Sequence, residues 1–359
     1  MRTFRCTCGN TLFFESSRCL SCGLDVGYDS MQDLMCPIDA HLKLCANGAR
    51  HGVCNWLLPA ASSAAFCLSC RLNRTIPDLG TEQNRLHWGL MEAAKRRLIH
   101  TLHALRIPLP SLKDDPQNGL AFDIVSTTLD PGVTMGHLNG VITVSLEEAD
   151  DTWRQINRQQ LGEASRTLLG HFRHESGHYL WNRFLSRLEW MAPERFAFRE
   201  VFGNESFSYS DALQRHYQNG PPAGWQQQFI TPYAAAHPWE DWAETWSHYV
   251  QMIDGLETGA QFGMPGSGAV LSAPPPESCT LPAVLASSTH REDNAFHELL
   301  QRWLNLVTVM NEISRSLGAP LLYPYIISPA AARKLRLAHH FASVWGAAPG
   351  TTSSDFMDS

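Results

Sequence analysis

No stretch of the chain comes near the ~18 consecutive apolar residues that a membrane-spanning helix needs, so no membrane partner is expected. Basic charge is also in short supply. Lys and Arg total 28 against 35 Asp and Glu, a net charge of -7, which leaves out the broad basic footprint of a general nucleic-acid binder. The opening residues, MRTFRCTCGN, lack the apolar core of a signal peptide, and a cytoplasmic location is expected. Beyond Cys70 cysteine is almost absent: nine of the 10 lie at or before it, and Cys279 alone follows. In a reducing compartment such clustering points to metal rather than disulfides.

What is present is enough apolar material for a sizeable core, at 44% of the 359 residues. Three regions are expected: a cysteine-rich head over 1–75, a helix-rich body over 76–345 and a disordered tail over 346–359, whose PGTTSSDFMDS has too little apolar content to pack. In the body, Leu86, Leu90, Ala94, Leu98, Leu102 and Leu105 form one helical stripe over about 83–105. The run Lys95-Arg96-Arg97 in that helix is expected on its solvated face. LAFDIVS (120–126) and VITVSL (141–146) read as strands. A helix follows over about 152–187 and another over about 239–256, started by Pro238. The Gly-, Pro- and Ser-rich 258–290 segment reads as a long loop or insertion, and a last amphipathic helix spans about 295–317.

The head carries Cys6-x-Cys8 and Cys19-x-x-Cys22, two close pairs a ten-residue stretch apart. Facing across a hairpin, such knuckles give the tetrahedral Cys₄ coordination of a zinc ribbon. Cys45, Cys54, Cys67 and Cys70 suit a second Cys₄ site, with Cys36 as an alternative ligand, while Cys279 reads as an idle thiol. One or two structural zinc ions are expected. Closed sites of this kind fold small modules and supply no chemistry, so the head can serve a protein partner; Asp25, Asp29 and Asp33 offset its basic residues and disfavour nucleic acid.

The chemistry-bearing segment is His171-Phe-Arg-His174-Glu175-Ser-Gly-His178, which contains H-E-x-x-H inside an expected helix. Residues four apart project from one face, so His174 and His178 can bind one catalytic Zn²⁺. Glu175 beside them can take the proton of a zinc-activated water as general base. A solvated helix face is the competing reading, and the apolar setting, with Leu180-Trp181 close behind, speaks against it. The third ligand is sought in His237-Pro-Trp-Glu240-Asp241-Trp-Ala-Glu244. Glu240 and Glu244 stand one turn apart, so one can bind zinc while the other supports a ligand histidine, and Asp241 and His248 compete as third ligands. An acidic first helical turn favoured by the helix dipole is the plainer alternative.

H-E-x-x-H followed some sixty residues later by E-x-x-A-E resembles the gluzincin metallopeptidases, in the form found in anthrax lethal factor-type peptidases. The resemblance implies Glu240 as third ligand, Glu244 as the orienting carboxylate and Tyr233, seven residues ahead of Glu240, as donor to the oxyanion. CANGARHGVCNWL, CLSCRLNRTIPDL, GHLNGVITVSLEEAD, HFRHESGHY and HPWEDWAETWSHY together resemble a bacterial family of zinc-binding metallopeptidases with an N-terminal zinc ribbon. That resemblance implies an α+β fold: a double zinc-ribbon-like module, then a mostly helical zincin-like domain with a small sheet. It implies VITVSL as an edge strand that holds an extended peptide, an ordinary interior strand being the other reading. The expected function is zinc-dependent hydrolysis of peptide or protein substrates. The alternatives are a zinc-ribbon interaction protein with a non-catalytic body, and hydrolysis of a non-peptide amide.

Overall fold

A computed structural model describes residues 2–127, 135–155, 167–186, 188, 192–264 and 291–347. The chain divides into two compact units, one of Arg2–Phe184 with residues 344–347 and one of Leu185–Ser343. The fold is α+β, cysteine clusters followed by a mostly helical region with small sheets.

The first unit opens with three two-stranded antiparallel hairpins: β1 (Phe4–Arg5) with β2 (Thr11–Leu12), β3 (Val26–Asp29) with β4 (Leu34–Pro37), and β5 (Leu42–Leu44) with β6 (Leu57–Pro59). A short helix, α1 (Ala46–His51), separates β5 from β6. Isolated hairpins are marginal in water, and here an aromatic cluster joins them. Phe14, Tyr28 and Trp56 are buried with ring centroids 4.9–6.2 Å apart. His100 of the long helix α2 (Glu82–Ala104) closes the cluster, 5.0 Å from Phe14.

Because the head packs on α2, that helix has little solvated face. Lys95 is fully buried, its Nζ 2.9 Å from the equally buried Glu92 and bonded to Asn73. Arg96 is buried and donates to the Val53 carbonyl. The expectation of a solvated Lys95-Arg96-Arg97 run therefore fails for its first two members, because Glu92 of the same helix and the Asn73 amide oxygen and Val53 carbonyl of the head supply buried acceptors that a sequence pattern does not reveal. Leu86 and Leu90, counted into the apolar stripe, are instead exposed, whereas Leu98 and Leu102 are core.

The only sheet of more than two strands among the described residues runs β7 (Asn73–Thr75), β8 (Ala121–Val125), β10 (Val141–Ser145), β9 (Gly136–Leu138). β10 is parallel to β8 and antiparallel to β9. VITVS is thus interior, correcting the edge-strand expectation: the Asn139-Gly140 turn folds GHL back as the outer strand. Helix α3 (Leu168–Leu180) packs on this sheet, with Phe172 edge-on to Phe122 at 5.7 Å. Thr167 caps it by accepting the N–H of Gly170. The expected long helix over 152–187 is thus interrupted by a cap; 156–166 lies outside the described residues.

The second unit holds α4 (Pro193–Phe202), α5 (Tyr209–Asn219), α6 (Pro238–Gln261), α7 (Arg291–Ser316) and most of α8 (Pro329–Ala347). Its core includes Phe198, Phe202, Trp242, Trp246 and Phe341. Pro238 occupies the first turn of α6 as expected, and that helix continues to Gln261, past the expected loop start at 258. Residues 265–290, with Cys279, and the tail from 348 lie outside the described residues. No helix among the described residues is long and apolar enough to cross a membrane.

Candidate metal centres and active site

The two cysteine pairs of the ribbon face each other. Cys6 Sγ stands 3.6 Å from Cys22 Sγ and Cys8 Sγ 3.7 Å from Cys19 Sγ, with no disulfide. Thiolates at ~2.3 Å from one zinc in a regular tetrahedron would be separated by roughly 3.8 Å. The second set, Cys45, Cys54, Cys67 and Cys70, is fully buried and equally tight, with 3.7 Å between Cys54 and Cys67. Backbone N–H groups of Trp56, Cys67 and Cys70 donate to its sulfurs at 3.4–3.5 Å, the orientation that favours thiolates. Contacts from Cys54, Cys67 and Cys70 pull the Cys45 thiol far down, while burial and Cys45 itself push Cys67 up. Four thiols so placed cannot ionise together without a cation. Both sets fit zinc. Cys36 belongs to neither; burial and the charges of Asp29 and Asp39 raise its thiol. Glu92 ties the second set to α2, accepting from Cys70 at 3.8 Å and from Trp88, Asn73 and Lys95.

On α3, His174 and His178 turn the same ring nitrogen toward each other. Their Nε2 atoms are 3.1 Å apart, close to the roughly 3.3 Å that two imidazoles on a tetrahedral zinc would show. Glu175 is buried beside them. Its Oε1 lies 3.3 Å from His171 Nε2, and His171 Nδ1 is 2.7 Å from the buried Glu148. Its Oε2 has no hydrogen-bond partner among the described residues. Burial pushes the Glu175 carboxyl up, yet the His171 hydrogen bond and the charges of His178, His174 and His171 outweigh it and bring it down to about 2. The carboxylate is therefore ionised at neutral pH, as a base must be.

The outer strand β9 passes this carboxylate. Gly136 adopts φ +109, open only to glycine, and a Cβ there would stand 3.7 Å from Glu175 Oε2. His137 next to it is lowered to about 4 by burial and the charge of His178, and so is neutral at physiological pH.

In the second unit, His237 caps α6, and Glu240 in its first turn is 1% exposed. Tyr209 Oη donates to Glu240 Oε1 at 2.6 Å. Glu244 lies one turn further on and is half-buried. Asp241, an alternative third ligand, sits 2.6 Å from Lys334 Nζ, and burial raises its carboxyl to about 7 against the pull of that ammonium. His248, the other alternative, bonds through Nδ1 to Tyr323 at 2.8 Å within the core. Tyr233 sits in a single 3₁₀ turn, Tyr233–Ala235, and its ring is edge-on to His216. Burial, then the charges of Glu240, Tyr209 and Tyr217, hold its phenol above the ordinary range, so it is a donor at neutral pH. The sequence pattern assigned no role to His171, Glu148 or Tyr209. His171 could have been found, since it is four residues ahead of Glu175 on the same helical face. Tyr209 is 31 residues from its partner and leaves no periodic signal.

Residues 84–341 match the family described as "Putative zinc-binding metallo-peptidase", and residues 3–81 match a zinc-ribbon domain. The chain belongs to this metallopeptidase family. Its span takes in the histidine pair of α3 and the acidic turn of α6, while all eight clustered cysteines fall within the zinc ribbon. The chain is similar to proteins of Mycobacterium bovis and of two strains of Mycobacterium tuberculosis, each named only as uncharacterized. With each it shares 40% identity over 343 residues, 94% of this chain and 94% of the relative. No solved structure matches it.

Proposed function

We propose that this member of the family is a zinc-dependent peptidase of gluzincin type, with catalytic zinc held by His174, His178 and Glu240 and structural zinc in each cysteine set. The observation that carries the reading is the convergence of the two Nε2 atoms of α3 beside the buried, ionised Glu175. The engagement of Asp241 with Lys334 and of His248 with Tyr323 supports Glu240 as the third ligand. Zinc in this site supplies a Lewis acid and lowers the pKa of water. Glu175 accepts a proton from the attacking water at Oε2 as the oxygen adds to the peptide carbonyl carbon. It then returns that proton to the departing nitrogen as the C–N bond breaks. Tyr233 donates its phenol proton as a hydrogen bond to the developing oxyanion, and Glu244 orients a ligand histidine. β9, at the end of the sheet, offers main-chain groups to an extended peptide. A buried carboxylate beside the histidine pair has no purpose in a binding-only site, which disfavours an interaction protein with an inert body.

Elemental analysis of wild type and of a His174→Ala/His178→Ala variant tests the site: three zinc ions are expected to fall to two, and an unchanged count refutes it. Glu175→Gln is expected to retain all zinc and to lose hydrolysis of a fluorogenic peptide library by about 100-fold or more.

A further inference from the structure

At the start of α6 three hydrogen bonds surround Glu240, and the directions of the two made by His237 can be read from its imidazole. His237 caps the helix, its Nδ1 accepting the N–H of Trp239 at 3.0 Å. A neutral imidazole that accepts at Nδ1 carries its proton on Nε2, and here Nε2 donates to the Phe207 carbonyl at 3.2 Å. That bond ties the turn ahead of α5 to the first turn of α6. Two residues on, Tyr209 lies edge-on to the rings of both His237 and Trp239, at 5.3 and 5.4 Å. From this seat its hydroxyl reaches the buried Glu240.

We propose that Tyr209 is a positioning residue for Glu240, fixing the plane of the carboxylate before metal arrives, and that the His237 cap holds Tyr209 in place. The inference rests on Glu240 being a zinc ligand. An unrestrained carboxylate rotates about its terminal bond and loses that freedom on ligation. A phenol donating to one oxygen removes the freedom in advance and leaves the charge intact. Partners of this kind contribute about 10–100-fold to metal affinity. A merely structural Tyr209 would need only its ring, which packs between His237 and Trp239 without the hydroxyl.

The test is a zinc competition titration against a chromophoric chelator that leaves cysteine-bound zinc in place. It compares wild type, Tyr209→Phe, Glu240→Ala and the double variant. Tyr209→Phe is expected to keep its melting temperature and cysteine-bound zinc while binding the exchangeable zinc about 10-fold more weakly or worse. In the Glu240→Ala background it is expected to add nothing, because the effect runs through that carboxylate. Wild-type affinity in Tyr209→Phe, or an equal loss in both backgrounds, overturns the positioning role while Glu240 stands as ligand. Full affinity in Glu240→Ala overturns the ligand assignment itself, and the proposal with it.

Discussion

Single buried charges set the terms of this protein. Lys95 and Glu92, both fully buried, neutralise each other beneath the second cysteine set, and Glu92 also takes hydrogen bonds from Trp88 and Asn73. Removing one partner of such a pair strands the other charge away from water. Lys95→Met is therefore expected to destabilise the first unit by about 3–5 kcal/mol. Arg85→Ala, on an exposed pair of the same helix, is expected to cost less than about 0.5 kcal/mol. Urea midpoints of the two variants provide the check, and equal costs would mean that the Lys95–Glu92 pair is not desolvated. His171 lies between the buried Glu148 and Glu175, and its hydrogen bond and charge help hold Glu175 ionised.

At the scale of elements, helix ends and the turns after them are where local chemistry places the site. Thr167 supplies the cap of α3, and Thr167→Ala is expected to cost about 1 kcal/mol, with most of it restored in Thr167→Ser. Thermal melts decide this, and no loss in the alanine variant would count against the cap. The turn after α4 is held by Glu205, which receives Arg199 and Arg195 together. Burial raises its carboxyl, and the Arg199, backbone and Arg195 hydrogen bonds reverse this to a net lowering. A lowered carboxyl contributes stability above its unfolded pKa of about 4.3 and loses it as pH falls through the folded value. Glu205→Gln should thus destabilise the second unit by about 1–2 kcal/mol at neutral pH. The gap should close as pH is lowered toward about 3. A gap that persists in acid would assign the loss to packing.

For the whole molecule, metal and fold are expected to be coupled through the head, since two-stranded hairpins are marginal on their own. Stripping zinc with a strong chelator is expected to abolish the protection of Tyr28 and Trp56, seen as red-shifted tryptophan fluorescence. A head that stays folded without metal would show that the aromatic cluster suffices. By itself, the sequence determined the two cysteine sets, the helical H-E-x-x-H and the acidic turn behind Pro238. Each is a short-range pattern in which spacing along the chain equals placement in space: four residues along a helix are one turn, and two or three residues in a knuckle bring two thiols to one point. Only the tertiary structure decided that Lys95 is buried, that VITVS is interior and GHL the outer strand, and that Glu148 and Tyr209 touch Glu175's partner and Glu240. Those facts depend on which distant segment supplies the opposing acceptor, strand or hydroxyl, and nothing in the periodicity of either partner encodes the other's position.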